Sequence, residues 1–386
     1  MKRMTGMLLS LLLILSGCGG PRQQNETAPP QDENDPSQAK IEPIGLADNL
    51  ALGASQEVEL YDYDENLLVI GVFDKAKVDP TGNAINDARY PYLEKFILFD
   101  VDSQTVKDEF MVNKFAFCLS AVYAFDGVFS ALAVSSGPNE GGCNFYHADA
   151  QGTRQVLAGG FTPFDDHLQL IRTEGGVVYH YDSPYTSRED HVFGVKKITA
   201  DWQEETLLTF AETEYECLWT DLQACPEQYA FMVKQNQQIS CYLGSATQEP
   251  IPILTLPQGV ELLDFAITAD MLLILQNTEA DGGYYLEMYD HQGNAIDRYQ
   301  IEEPCWSLTA NANGQFCGVP EQVILTNTPV MLFEMSGEIR PVSVDAARID
   351  SNWNAIFSNG KDFLIYSLYE PHQVWRLSLP AESAVG

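Results

Sequence analysis

Two stretches of the sequence combine aromatic, acidic and basic side chains in a pattern typical of ligand-binding loops. The first runs from Lys75 to Tyr92 and the second from Asp182 to His191. Carboxylates attract a cationic peptide, and aromatic rings beside them suit the stacking of a sugar. We therefore predict a binding surface that is built from Asp79, Asp87, Arg89, Tyr90, Tyr92, Tyr185, Arg188, Glu189 and Asp190.

The motifs of common enzymes are missing from the chain. Neither the Gly-x-Ser-x-Gly nucleophile elbow nor the His-Glu-x-x-His zinc motif occurs, and no cysteine and histidine spacing predicts zinc. Asp62-x-Asp64-x-Asn66 begins like a calcium loop, but Leu67 replaces the required glycine and Phe73 replaces the bidentate glutamate. We therefore predict no catalytic residues and no metal ligands.

The net charge limits the partners of the chain. It carries 55 acidic and 21 basic residues, which gives a formal charge of -34. Such a surface repels nucleic acid and anionic lipid, since both require lysine and arginine for binding. Cations, cationic peptides and neutral sugars are the partners that this charge favours.

Short apolar runs that alternate with turns fill the sequence beyond Gln56. Each run has the length of a strand, is rich in β-branched or aromatic residues, and is bounded by Gly, Asn, Asp or Pro. The runs are Leu67–Phe73, Val128–Val134, Val177–Tyr179, Tyr229–Val233, Met271–Leu275, Val323–Leu325 and Phe363–Tyr366. Because helical periodicity is absent, the sequence predicts an all-β chain.

A polar turn recurs after the apolar runs. Its equivalent points are Gln104, Gln151, Gln203, Gln248, Gln292 and Ser336, which are separated by 47, 52, 45, 44 and 44 residues. Periods of this length indicate one four-stranded blade per repeat in a β-propeller. We predict seven blades, with six or eight as alternatives, and expect a strand near Ile41 to Leu46 to complete the last blade.

In a propeller, the loops between second and third strands share one face with the connections between blades. Four of these loops are predicted to be long and polar: Lys75 to Tyr92, Ser135 to Gly142, Asp182 to His191 and Asn277 to Gly283. Binding usually resides in variable loops on a rigid scaffold. We therefore expect the ligand on this face.

Seven cysteines follow Cys18, and an odd number outside the cytoplasm leaves at least one thiol unpaired within the chain. Cys217 with Cys225, or Cys305 with Cys317, are candidate disulfides. Apolar neighbours favour buried thiols at several of the other positions.

The N-terminus has the pattern of an export signal. Lys2 and Arg3 precede an apolar stretch that is too short to cross a bilayer, and Leu15-Ser16-Gly17-Cys18 follows. This segment resembles a bacterial lipoprotein signal. The resemblance implies removal of residues 1–17, attachment of lipid to Cys18, and an extracytoplasmic, membrane-anchored protein. Residues 18–44, rich in Pro, Gln, Asn and Asp, are predicted to form a disordered tether ahead of a propeller at 45–386.

The lipid box, the tether and the β repeat together resemble bacterial lipid-anchored propeller proteins. The resemblance is one of architecture, since the sequence marks of WD repeats, sialidases and quinoprotein dehydrogenases are absent. It implies a monomeric, non-catalytic binding or scaffold module for a protein, peptide or glycan, without a cofactor. A propeller hydrolase or lyase, with calcium as an optional cofactor, is the alternative, and an envelope-assembly factor is a third.

Overall fold

The chain folds into antiparallel strands. The computed structural model describes residues 40–74, 92–124, 127–135, 143–149, 152–161, 170–173, 176–182, 192–199, 201–211, 222–225, 227–235, 238–245, 247–278, 282–301, 305–311, 313–320, 331–335, 339–342, 355–357, 360–366 and 373–378. All of these residues belong to one compact unit, Ser37–Gly386. Within the described ranges, the single helix is α1 (Leu46–Asn49), and no helix has the length and apolarity to span a membrane.

The strands are numbered here in chain order. Those of the first half are β1 (Lys40–Ile44), β2 (Gln56–Asp64), β3 (Leu67–Asp74), β4 (Tyr92–Asp100), β5 (Thr105–Ala124), β6 (Val128–Ser135), β7 (Cys143–Asp149), β8 (Gly152–Phe161), β9 (Leu170–Thr173), β10 (Gly176–Asp182), β11 (Val192–Ile198) and β12 (Glu204–Ala211). Those of the second half are β13 (Gln223–Cys225), β14 (Gln228–Gln235), β15 (Gln238–Ser245), β16 (Ile251–Thr255), β17 (Val260–Ile267), β18 (Met271–Thr278), β19 (Gly283–Asp290), β20 (Ala295–Ile301), β21 (Cys305–Ala310), β22 (Phe316–Pro320), β23 (Met331–Met335), β24 (Ile339–Val342), β25 (Ala355–Phe357), β26 (Phe363–Tyr366) and β27 (Val374–Ser378).

The described strands form six hydrogen-bonded sheets, five of which have four strands. The sixth sheet has seven strands, β2 to β8, because the 20-residue β5 belongs to two hairpins. Residues 105–115 of β5 pair with β4, and residues 115–124 pair with β6. The chain is therefore a β-propeller, as predicted. Six sheets lie within the predicted range, and dividing the large sheet at β5 yields seven four-stranded units.

The first strands of successive units lie side by side around the ring axis. The second part of β5 contacts β2 on one side and β9 on the other, and β9, β13, β17, β21 and β25 follow in the same order. These strands form the inner wall of the ring, while the fourth strand of each unit forms its outer edge.

The first and last units are joined by a strand from the N-terminal side. β1 pairs with β27, and Ile41 lies opposite Leu377. This closure confirms the predicted fourth strand of the last blade. Across the same seam, the Lys361 N–H donates to the Glu65 carbonyl at 3.0 Å, and Arg376 forms an ion pair with Asp102 at 2.9 Å. The edges that an open ring would expose are thereby paired.

The core lies between neighbouring sheets, which explains why the central strands are apolar on both faces. In β18, Leu272 and Ile274 pack against the preceding unit, and Leu273 and Leu275 pack against the following one. The sequence of this strand is therefore continuously apolar, without the alternation of apolar and polar residues that a half-exposed strand shows. At about 25 cal/mol per Å² of apolar surface removed from water, these interfaces supply most of the stabilisation.

The polar turns lie where the repeat predicts them, between third and fourth strands. Gln104, Gln203, Gln248 and Gln292 all occupy such turns. In the turn after β19, the Asp290 carboxylate accepts the Gln292 N–H at 2.9 Å and the Asn294 N–H at 2.8 Å. Side-chain acceptors of this kind replace the hydrogen bonds that the strands lose at a turn.

Polar side chains on the inner strands join one unit to the next. The register shifts immediately before Asp62 in β2, Ser120 in β5 and Asp264 in β17, which marks a β-bulge at each place. Ser120 Oγ accepts the Leu170 N–H of the next unit at 2.9 Å, and Asp264 Oδ2 accepts the Leu308 N–H of its next unit at 2.7 Å. The bulges re-aim these residues across the gap between units.

Four cysteines with described side chains are buried thiols. Cys118, Cys225, Cys241 and Cys317 are all buried and outside any disulfide. The candidate pairs Cys217–Cys225 and Cys305–Cys317 are therefore not formed. Burial raises the pKa of the Cys225 and Cys241 thiols, which keeps them neutral at physiological pH.

We predict that Ile44→Ala destabilises the ring by about 2–4 kcal/mol, the usual cost of truncating a buried Ile. Ile44 is 5% exposed and packs in the seam with Leu364 and Val374. Chemical denaturation of the full chain measures the effect. Lys40→Ala, at an exposed position of the same strand, should change the stability by less than about 0.5 kcal/mol. Equal effects of the two substitutions would contradict closure by β1.

We predict that Asp264→Ala lowers the free energy of unfolding by about 1–3 kcal/mol, because it removes the acceptor for two backbone N–H groups. One is that of Leu308 and the other is that of Phe265, at 2.8 Å from Oδ1. The control is Asp270→Ala in the exposed turn of the same unit, which should leave the denaturation midpoint nearly unchanged. A midpoint that is equally insensitive to Asp264→Ala would show that the contact between units contributes nothing.

Candidate functional site

The inner strand β2 carries four polar side chains near the ring axis: Glu59, Tyr61, Asp62 and Asp64. Its register shifts between Leu60 and Asp62, so Tyr61 is the extra residue of a bulge. Tyr61 packs on the core towards the next unit, with its ring 6.1 Å from that of Phe96. Beyond the bulge, Asp62 and Asp64 are two residues apart and therefore share one face of the strand, where the charge of Asp64 acts on Asp62.

Arg172 reaches this strand from two units away. It lies on β9, and its Nη1 is 2.9 Å from Asp64 Oδ2. The unit formed by the second part of β5 and β6 to β8 stands between the two strands in the ring, so both side chains must extend past its inner edge. The Arg172 side chain is 43% exposed and that of Asp64 is 25% exposed. Such a solvated pair contributes about 0–1 kcal/mol, and its main effect is to position charge.

Asp62 retains a proton at neutral pH. Burial within the ring is the main cause, and the negative charge of Asp64 adds to it; together they raise the pKa of Asp62 to about 8. The N–H of Tyr63 and the charge of Arg172 oppose the shift. Asp62 is half-buried by its exposed surface, although protein atoms surround its carboxyl group. The neighbouring Asp64 also has a raised pKa, chiefly from burial, but Arg172 favours its charged form.

A second polar pair lies further up the same strand. The Tyr61 hydroxyl donates to Glu59 Oε2 at 2.8 Å, and it lies 3.5 Å from the Cys118 carbonyl on β5. Burial raises the pKa of both Glu59 and Tyr61. The inner-wall site, defined here as Glu59, Tyr61, Asp62, Asp64 and Arg172, therefore combines a neutral carboxyl group with charged groups of both signs.

Two kinds of chemistry fit this arrangement. The carboxyl groups can accept hydrogen bonds from an ammonium or guanidinium group, and unequal protonation of two nearby carboxyls is also the usual basis of acid–base catalysis. Within the described ranges, no group of three or more His, Cys, Asp or Glu side chains is arranged to hold a metal ion. The Asp62-x-Asp64 pattern, rejected as a calcium loop, is the end of a strand.

The predicted loop residues fall almost entirely outside the described residues. Of them, Tyr92 begins β4 and pairs with Asp74, and the others lie outside the described residues: Asp79, Asp87, Arg89, Tyr90, Tyr185, Arg188, Glu189 and Asp190. The inner-wall site was not predicted, although the spacing of Asp62 and Asp64 drew attention to these residues. No sequence signal pairs Asp64 with Arg172, which is 108 residues away.

One predicted long loop is short. β18 ends at Thr278 and β19 begins at Gly283, and the Gly282 N–H donates to the Thr278 carbonyl at 2.9 Å. Gly282 adopts a φ of 64°, a value that favours glycine in a tight turn. The connection between the two strands has four residues, 279–282, so the loop expected from Asn277 to Gly283 is shorter than predicted.

Comparison with solved structures identifies the fold class. Oligogalacturonate lyase in complex with manganese aligns with a TM-score of 0.53 and 11% identity, over 89% of this chain and 97% of that one. A catalytically inactive form of virginiamycin B lyase from Staphylococcus aureus, solved with quinupristin, aligns with a TM-score of 0.51 and 12% identity, over 89% and 100%. BamB from Moraxella catarrhalis aligns at 0.46 and 9% identity, over 85% and 84%.

The two likenesses with lyases agree with the β-propeller fold of the sheets and bear on the fold alone. No family model matches the chain, and no curated protein matches it in sequence.

We predict that Asp62→Asn removes a pH dependence of stability. The folded pKa of Asp62 is raised from 3.8 to about 8, so its stabilising effect is complete below about pH 4 and is lost as the pH rises through 8. The amide resembles the protonated acid but cannot ionise. At pH 9 the variant should therefore melt about 2 °C or more above the native chain, while the two should differ less at pH 5. Asn66→Ala, in the adjacent turn, should keep the native pH dependence. If the melting temperatures of the Asp62→Asn and native chains change with pH by the same amount, the assigned pKa of Asp62 is refuted.

Proposed function

We propose that the protein is an extracytoplasmic binding module, anchored to the membrane by lipid on Cys18. The basic start, the short apolar stretch and the Leu-Ser-Gly-Cys box support the anchor. The body acts as a monomeric scaffold that engages a protein, peptide or glycan and does not bind nucleic acid, in line with a charge of -34.

The inner-wall site supports a cationic ligand group in particular. Asp62, Asp64 and Glu59 lie along one strand, and within the site as defined Arg172 alone carries a positive charge. An ammonium or guanidinium group that enters beside Asp62 would supply the second positive charge that two adjacent carboxylates require. The ligand class that fits best is a lysine- or arginine-bearing peptide.

Catalysis by a hydrolase or lyase mechanism is the second candidate. The observation that favours it is the difference in protonation between Asp62 and Asp64, since a neutral carboxyl group can donate a proton beside a charged one. Two propellers with similar folds are lyases, and one of them was solved with manganese. Calcium stays open as a cofactor of this alternative.

We predict that a lysine-rich peptide binds more tightly at pH 8.5 than at pH 6.5. Binding requires Asp62 to lose its proton, and with a pKa of about 8 that loss is largely complete only at the higher pH. The affinity should therefore rise by about tenfold, because the lysine ammonium groups stay charged over this range. Calorimetric titration of the full chain measures the effect, and Asp62→Asn should weaken binding and abolish its pH dependence.

A peptide of the same sequence with acetylated lysines is the matched control. Equal affinity for both peptides would reject the cation site. The lyase or hydrolase candidate predicts the opposite pH dependence, because a proton donor stops working as the pH rises through 8. Turnover of a substrate that falls above pH 8 and is lost in Asp62→Asn would favour that candidate.

A further inference from the structure

Arg172 is the exposed residue of the short inner strand β9. Leu170, Ile171 and Thr173 of this strand are buried, whereas the Arg172 side chain is 43% exposed. Its Nη1 donates to Asp64 Oδ2 at 2.9 Å, across 108 residues of sequence. A guanidinium group of the chain itself is therefore bound at one of the carboxylates that the proposed cationic ligand would use.

The backbone that carries Arg172 is held in place independently of this contact. The Leu170 N–H donates to Ser120 Oγ at 2.9 Å, and Thr173 Oγ1 donates to the Gly176 carbonyl at 3.1 Å. β9 is also paired with β10 along its whole length. Opening the ion pair therefore requires only rotation of the Arg172 side chain, and exposed side chains change rotamer within picoseconds to nanoseconds.

The position of the pair in the ring argues against a purely structural role. The hydrogen bonds of Ser120 and Asp264 join each unit to the next one, whereas Arg172 and Asp64 belong to units that are not neighbours. A pair that is this exposed to water contributes little to stability. It can therefore be opened at small cost, as is required of a contact that a ligand displaces.

We propose that Arg172 is an internal competitor of the cationic ligand. Its guanidinium group neutralises Asp64 while the site is empty, and a cationic group of the ligand takes its place while Arg172 turns towards solvent. This inference rests on the proposed function and adds the regulation of the same site.

The competition also determines which cations bind. Exchange of one guanidinium for one ammonium leaves the charge beside Asp64 unchanged, so a ligand with a single cationic group gains little. A peptide with two or more cationic groups can bind ionised Asp62 as well, and this second contact favours the exchange. Arg172 therefore selects peptides with several lysine or arginine residues against single amines.

The first test measures the affinity of the full chain for the lysine-rich peptide by calorimetry, before and after Arg172→Met. The variant keeps an unbranched side chain but has no charge, so it should bind the peptide about fivefold more tightly, because no ion pair must be broken. Titrations are made at pH 9, since the charge of Arg172 lowers the pKa of Asp62 and its removal raises that pKa.

Arg298→Met is the matched control for the loss of one positive charge. Arg298 forms an ion pair with Glu287 at 3.2 Å, and its side chain is also 43% exposed. It lies on β20, the outer strand of another unit, so the affinity for the peptide should stay nearly unchanged. Equal tightening by Arg298→Met and Arg172→Met would show a general effect of net charge and would overturn the proposal.

The second test uses guanidinium chloride as the probe and does not require a peptide. In Arg172→Ala the carboxyl group of Asp64 loses its cation, so its titration midpoint in nuclear magnetic resonance should rise. Guanidinium chloride below denaturing concentrations should lower the midpoint again, and should do so more strongly than sodium chloride at equal ionic strength. A midpoint that responds equally to the two salts would overturn the proposal.

The results distinguish this inference from the proposed function. If the native chain binds the peptide but Arg172→Met binds it equally or more weakly, Arg172 helps to hold the ligand, and the proposal of an internal competitor is overturned while the cation site stands. If neither chain binds the peptide, the proposed function fails and the competitor fails with it. Tighter binding by Arg172→Met together with a specific response to guanidinium supports both.

Discussion

The structure depends on one constraint: a four-stranded sheet whose central strands are apolar on both faces cannot be stable alone. Leu272 and Ile274 on one face of β18, and Leu273 and Leu275 on the other, are almost completely inaccessible to water. Each sheet therefore needs a neighbour on either side, and only a closed ring provides two neighbours for every sheet. The pairing of β1 with β27 follows from this need, since without it the first and last sheets would lack a complete partner.

Ring closure also determines where enclosed polar side chains lie. The first strands meet around the axis, and protein encloses several of the polar side chains that they carry. Ser120 and Asp264 use this position to bind the backbone of the next unit. Asp62 occupies the corresponding place after its own bulge, but it lies beside Asp64, and the combination of enclosure and like charge raises its pKa. The same architecture thus produces both a structural contact and a site suited to binding or proton transfer.

Much of the fold could be predicted because its signals are local. Apolar runs such as Met271–Leu275 mark central strands, and turn residues such as Gln292 mark the repeat. Bulges and contacts between distant strands have no such signal. The sharing of β5 by two hairpins and the approach of Arg172 to Asp64 depend on how sheets pack, which periodicity does not report. The polar loop composition predicted a binding face, whereas the inner-wall site depends on which strands meet around the axis.

The central claim is that the closed ring encloses Asp62 so that it holds its proton at neutral pH. Nuclear magnetic resonance of isotope-labelled aspartate carboxyl groups, followed through a pH titration of the native chain and assigned with Asp62→Asn, measures this directly. The account predicts that the Asp62 resonance titrates with a midpoint near 8. A midpoint close to the ordinary aspartate value of about 4 would contradict it.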